Sequence, residues 1–295
     1  MRAPPALVLV CSLLGISIAA PLVRLSHAHP VAIAVWRLGF SLVAVAAALA
    51  VTGGWRQWRT LTPRRTLIAI GAGVLLALHF WSWNSSVGMT TVAASVVLVS
   101  LQPAIVAVVS ALWLRERPSR RQSTGIAVAI LGAIVVALPD VLGARAPGAT
   151  GRALLGDALA LVGALTAALY YVSGRRLRGT LDLWPYVGLV YGACFLTLLA
   201  IAGALDLPLL PQPPREVAIF AALAAGPMLV GHTGMNWALK YLPAYVVNLT
   251  VLGEPVGATL LAALIPGIGE LPTIATLAGG VLILAGVLAT SGRRE

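Results

Sequence analysis

Ten apolar stretches, separated by short basic or proline-containing segments, leave this 295-residue chain few ways to fold. A helix crossing a bilayer needs about twenty mainly apolar residues at about 1.5 Å each. Stretches near that length cover residues 6–22, 31–51, 66–86, 92–114 and 123–138, then 153–173, 183–205, 217–239, 244–265 and 273–291. Hydrophobic residues are 59% of the chain and charged residues 10%, a balance outside that of water-soluble domains. The expected class is therefore an all-α membrane protein with ten transmembrane helices.

The second five stretches repeat landmarks of the first five. Asn84, Gln102-Pro103, Glu116, Gly125 and Gly132 return as Asn236, Glu254-Pro255, Glu270, Gly279 and Gly286. Residues 1–143 and 144–295 thus read as two five-helix repeats. An odd number of crossings makes the second repeat enter from the opposite side, so the repeats are inverted. Such pairs open a shared midplane site alternately to each side. In both halves a polar residue precedes a proline inside an apolar run, which lipid tolerates only where protein or a water-filled cavity satisfies the freed backbone.

The net charge of +11 is a topology signal. Fifteen basic residues fall on one side of the alternating loops and four (Arg24, Arg145, Arg152, Arg215) on the other, which places both termini in the cytoplasm. Nucleic acid is not needed to explain the charge. A start resembling a secretory signal, with Arg2 before an apolar run and small Ser17, Ala19 and Ala20, is set aside because its removal would leave the halves unequal. Cys11 and Cys194 lie in apolar runs, where neither a structural disulfide nor zinc is expected. No nucleotide-binding glycine loop, zinc-type His-Glu spacing or nucleophile–base pair is apparent, so no enzyme activity, cofactor, metal or ATPase partner is expected.

Residues 85–136 and 236–288 resemble the terminal part of the EamA repeat of the drug/metabolite transporter superfamily: a helix with a central proline, a Glu-containing turn and a glycine-rich last helix. Trp36-Arg37 and Gly156-Asp157 are similar to other positions of that family. The resemblance implies a basket-shaped ten-helix bundle in the bacterial inner membrane that moves metabolites, often outward. Within the superfamily the chain looks most like the YddG-type exporters of aromatic and other neutral amino acids. A monomer that handles a small amino-acid substrate within the lipid bilayer is the expectation, with a proton-coupled multidrug or nucleoside-type exporter as the alternative. The small multidrug branch relies on an acid in its first helix, and residues 6–22 contain none.

Counting along each helix puts His79, Gln102 and Glu254 near mid-membrane, with Trp83 and Asn84 one turn outward and His232 and Asn236 toward the cytoplasm. His79, Trp83, Gln102, Glu254, His232 and Asn236 are the expected substrate-binding residues. The competing reading gives His79 a neighbouring helix's carbonyl, and gives Gln102 and Glu254 the backbone groups freed by their prolines; Glu254 could instead carry a proton. Arg37 either snorkels to the interface with a structural partner or has a gating or carboxylate-binding role. Pro103 and Pro255 are the expected gating bends. Trp81, Tyr170, Tyr171, Tyr186, Tyr191 and Trp237 are further candidate walls, while Glu116 and Glu270 are expected to cap or pair locally.

Overall fold

A computed structural model describes residues 4–113, 120–142, 151–242 and 244–290. Helix covers every apolar stretch seen in the sequence. Helix α1 (Pro5–Leu25), α2 (Pro30–Thr52) and α3 (Pro63–Met89) are followed by α4, in pieces α4a (Val92–Val99) and α4b (Gln102–Trp113), and by α5 (Arg120–Val141). The second half holds α6 (Ala153–Leu177), α7 (Leu183–Ala204), α8 (Pro214–Ala238), α9 as α9a (Ala244–Leu249) and α9b (Glu254–Leu264), and α10 (Ile274–Thr290). Six of these, α1–α3 and α6–α8, are long and apolar enough to cross a membrane; the apolar parts of the others are shorter.

Local chemistry sets the ends. Proline occupies the first turn of α1, α2, α3, α8 and α9b, where its missing N–H would have no helical partner anyway. Thr62 and Thr91 accept hydrogen bonds from Arg65 N and Ala94 N, and the His29 ring accepts from Val31 N. Gly53 closes α2 at φ 63°, a left-handed conformation that costs glycine nothing. Large apolar side chains such as Leu14, Val43, Leu196, Val256 and Val281 are exposed, as expected for faces solvated by lipid.

The two halves interdigitate. The first helix of each half packs on the third helix of the other, α1 on α8 and α6 on α3, and also on the other half's fourth helix. Both pairings are antiparallel: Gly226, Gly231 and Gly234 of α8 meet Ile18, Ile16 and Ser12, while Gly156 and Gly163 of α6 meet Met89 and Trp83. Equivalent arginines tie off equivalent helix ends. Arg24 Nη1 donates to Val87 O at 2.7 Å near the end of α3, and Arg175 Nη1 to Leu239 O at 2.6 Å beyond the end of α8.

The last helices meet through the repeated glycines. A Cβ on Gly132 would stand 2.7 Å from Gly279 O, and one on Gly286 would stand 2.5 Å from Gly125 O. Gly125 corresponds to Gly279 and Gly132 to Gly286, so each glycine faces the other's equivalent, as across a two-fold axis. Here α5 and α10 run antiparallel with backbones in contact, which only small residues permit. The fourth helices do the same: α4a packs on α9b and α4b on α9a.

Candidate functional site

Helices α4 and α9 both break at the same point of the repeat. Ser100 and Leu101 leave the helix before Gln102-Pro103, and Thr250–Gly253 tightens into a 3-10 turn before Glu254-Pro255. Each proline therefore starts a new helical piece; the expectation of a bend within one continuous helix is corrected to a discontinuity just before it. A third irregularity faces them. In α8, Ala224–His232 is π-helical around Pro227, with Thr233 Oγ1 donating to Met228 O at 3.0 Å.

The three breaks surround a hollow of about 30 Å³, lined by Arg37, His79, Trp83, Gln102, Tyr171, His232 and Glu254 with apolar neighbours including Ile16, Val99, Pro227, Met235 and Val251. That volume holds about one or two waters. Six helices from both halves supply the polar groups. Of the nine residues singled out in the sequence, Arg37, His79, Trp83, Gln102, His232 and Glu254 reach this one space, drawn from α2, α3, α4b, α8 and α9b.

His79 Nδ1 lies 2.9 Å from Gly163 O. A carbonyl can only accept, so Nδ1 carries the proton and Nε2 is left as an acceptor. The carbonyl bond and the cavity position, set against each other in the sequence, are both present. His79 stacks on Trp83 with ring centroids 6.1 Å apart and planes 8° from parallel. Phe80 and His232 complete the cluster at 5.2 and 6.2 Å from His79. Tyr171 Oη sits 3.3 Å from His232 Nδ1 and from Met235 Sδ.

Arg37 is 1% exposed and does not snorkel. Its guanidinium lies 4.2 Å over the Phe80 ring, and Nη2 stands 3.9 Å from Met228 Sδ. The Gln102 amide donates to Asn248 Oδ1 on α9a, joining the two broken helices. Asn236 is the residue that stays out of the hollow. It is fully buried one turn behind His232, donating to the Tyr170 hydroxyl and, at 2.8 Å, to His232 O. Pro103 and Pro255 sit beside the hollow in sequence without lining it.

Among the aromatic candidates, Trp83 and Tyr171 border the hollow, whereas Tyr170, Tyr186 and Tyr191 are packed in the core. Trp237 lines a separate vestibule of about 350 Å³ with Arg178, Asp182, Trp184, Lys240 and Tyr241. Pro227, Met235 and Asn248 were missed. Gly226-Pro227 inside an apolar run was a legible breaker signal, but Met235 and Asn248 had no signal beyond residue type.

Both ends of the bundle are tied across the halves. At the vestibule, Gln57 and Lys240 each donate to Asp182, at 2.7 and 2.8 Å, and hold its carboxyl below the usual aspartate range, Lys240 most strongly. Trp58 Nε1 donates to Pro185 O beside them at 3.0 Å. At the opposite end, Arg24 pairs with Glu270 at 2.5 Å, and Glu270 also accepts from Val92 N at 2.8 Å. Glu270 thus caps α4a of the other half instead of pairing locally; Glu116 lies outside the described residues. Glu216 accepts from Ser26 Oγ and Arg215, and Trp36 Nε1 donates to Leu209 O.

The model of the EamA-like transporter family matches residues 3–138 and again residues 154–292. The chain belongs to the EamA-like transporter family. It is a multi-pass membrane protein of a family whose members are transporters of small metabolites. A solved crystal structure described only as that of a protein shares the fold, with a TM-score of 0.68 at 20% identity over 99% of this chain and 98% of the other. No curated protein matches the chain.

Proposed function

We propose that this EamA-family protein is a secondary exporter of small neutral metabolites, foremost neutral and aromatic amino acids, in a bacterial inner membrane. It works as a monomer with ten transmembrane helices in two inverted repeats, both termini cytoplasmic, and needs no ATPase partner or cofactor. The observation that carries this reading is the hollow at the matched breaks of α4 and α9. It lies between the two halves, its polar groups come from both, and cross-half ties close each end of the bundle. Antiparallel equivalents let the halves exchange conformations, breaking one set of ties while keeping the other, which is alternating access.

An amino acid cannot enter about 30 Å³, since ligand pockets run to about 300 Å³ or more. The hollow must widen toward the vestibule or the opposite mouth during transport. A proton-coupled reading has one observation of its own, the shared placement of Glu254, His79 and His232 around the hollow. Purified protein in liposomes, tested with labelled neutral amino acids, nucleosides and organic cations with and without a pH gradient, decides between them. Amino-acid flux supports the export proposed here, and its dependence on the pH gradient shows whether it is proton-coupled or facilitated. Flux confined to cations or nucleosides refutes it.

A further inference from the structure

Among the described residues, Arg37 is a buried cation with no anion paired to it. Among the described residues its Nε and Nη1 are buried with no hydrogen-bond acceptor, and the Arg24–Glu270, Arg215–Glu216 and Lys240–Asp182 ion pairs do not include it. The Phe80 face and the Met228 sulfur are its contacts, and a cation–π contact supplies no counter-charge. Burying a charge is costly even after relaxation unless an opposite charge or acceptors meet it. A second wall donor, Trp83 Nε1, is also buried with no acceptor among the described residues. Two donor groups around one hollow therefore lack what a carboxylate supplies: negative charge and several lone pairs.

The same hollow has a carboxylate of its own. Glu254, 7% exposed, opens α9b and borders the space from the other half of the chain. It forms no ion pair with Arg37. Had the two groups evolved only to neutralise each other, direct contact would be the economical arrangement, because a buried pair held apart forgoes most of its Coulomb gain. A guanidinium and a carboxyl group kept apart across a small cavity instead match a ligand that has both signs at a fixed short separation.

We infer that Arg37 receives the α-carboxylate and Glu254 the ammonium group of a zwitterionic substrate, with the Trp83–His79 stack beside its side chain. This rests on the amino-acid reading above and assigns the polarity of that site. The helices on which the two charges sit, α2 and α9b, belong to different halves, so a bound zwitterion bridges the repeats. A lone amine or a lone carboxylate would leave one buried charge without a partner.

Three ligands with one apolar body test it: phenylalanine, phenethylamine and 3-phenylpropionate, each scored by competition against labelled phenylalanine and by thermal shift of purified protein. Wild type should prefer phenylalanine over either half-ligand by about tenfold or more, the scale for leaving a buried charge unpaired. Arg37→Gln should lose most phenylalanine affinity and turn the ranking toward phenethylamine; Glu254→Gln should turn it toward 3-phenylpropionate. Thermal shift reads these rankings even where a variant no longer binds the labelled ligand. Melting of the ligand-free variants checks that each is folded, and Arg37→Lys, which keeps the charge, should retain the wild-type ranking. If wild type selects phenylalanine but the folded variants keep its ranking or lose all three ligands alike, the assignment is wrong while the amino-acid reading survives. If wild type selects a half-ligand, both fall.

Discussion

The carbonyl of Gly163 decides what His79 can do. By accepting from Nδ1 it fixes the ring's tautomer, and the stack with Trp83 fixes its plane, so the pair forms a preorganised wall. Replacing either side chain by alanine should reduce flux in liposomes severalfold or more while expression changes little, since neither forms an ion pair and both border a hollow. Normal transport by both alanine variants would remove them from the substrate path. Spacing made this pair legible in the sequence, because residues four apart share a helix face. The fate of Asn236 was not legible: it shares the His232 side of α8 one turn further on, beyond the hollow, where the Tyr170 hydroxyl of α6 takes its amide.

At the scale of elements, two devices repeat. The glycines of α5 and α10 let backbones touch, so Gly132→Val should drive a branched side chain into Gly279 O and lower the melting temperature, with an overpacking cost of about 1–3 kcal/mol. Gly71→Ala, where nothing lies within 4 Å of the added carbon, should melt like wild type. The breaks in α4 and α9 are the second device. Alanine at Pro103 or Pro255 restores a backbone donor and favours a continuous helix, so each variant should slow transport more than it weakens substrate binding. Spin-label distances across both mouths, compared with and without substrate, check this: undiminished flux with wild-type distance changes would show that the breaks do not govern the motion. Sequence located both breaks through the proline, but showed neither the unwinding before it nor the π-helical turn at Pro227, which depend on neighbouring helices filling the irregular backbone's surroundings.

For the whole molecule, the loop charges predict a direction. In a chain with Cys11 and Cys194 replaced, a cysteine at exposed His27 should react with an impermeant reagent on intact cells, and one at exposed Arg56 only after lysis. The reverse pattern would invert the topology and exchange the roles of the two mouths. The vestibule beside Asp182 and Lys240 would then open outward, not to the cytoplasm. In either orientation the ties at the two ends join different halves, so opening one mouth moves the repeats against each other.

Sequence alone determined that the chain is helical, membrane-embedded and duplicated, because hydropathy and repeated landmarks are properties of residue order and need no knowledge of neighbours. It also marked most of the polar residues that meet in the hollow, since an ionisable or amide group deep in an apolar run is costly without a protected environment. Tertiary structure decided the rest. Which face of each helix turns inward, which half caps which helix, and that Arg37 and Glu254 border one space without pairing all depend on packing between segments far apart in the chain. A one-residue change in helix rotation turns a side chain by about 100° at 3.6 residues per turn, and only contacts with other helices set that angle.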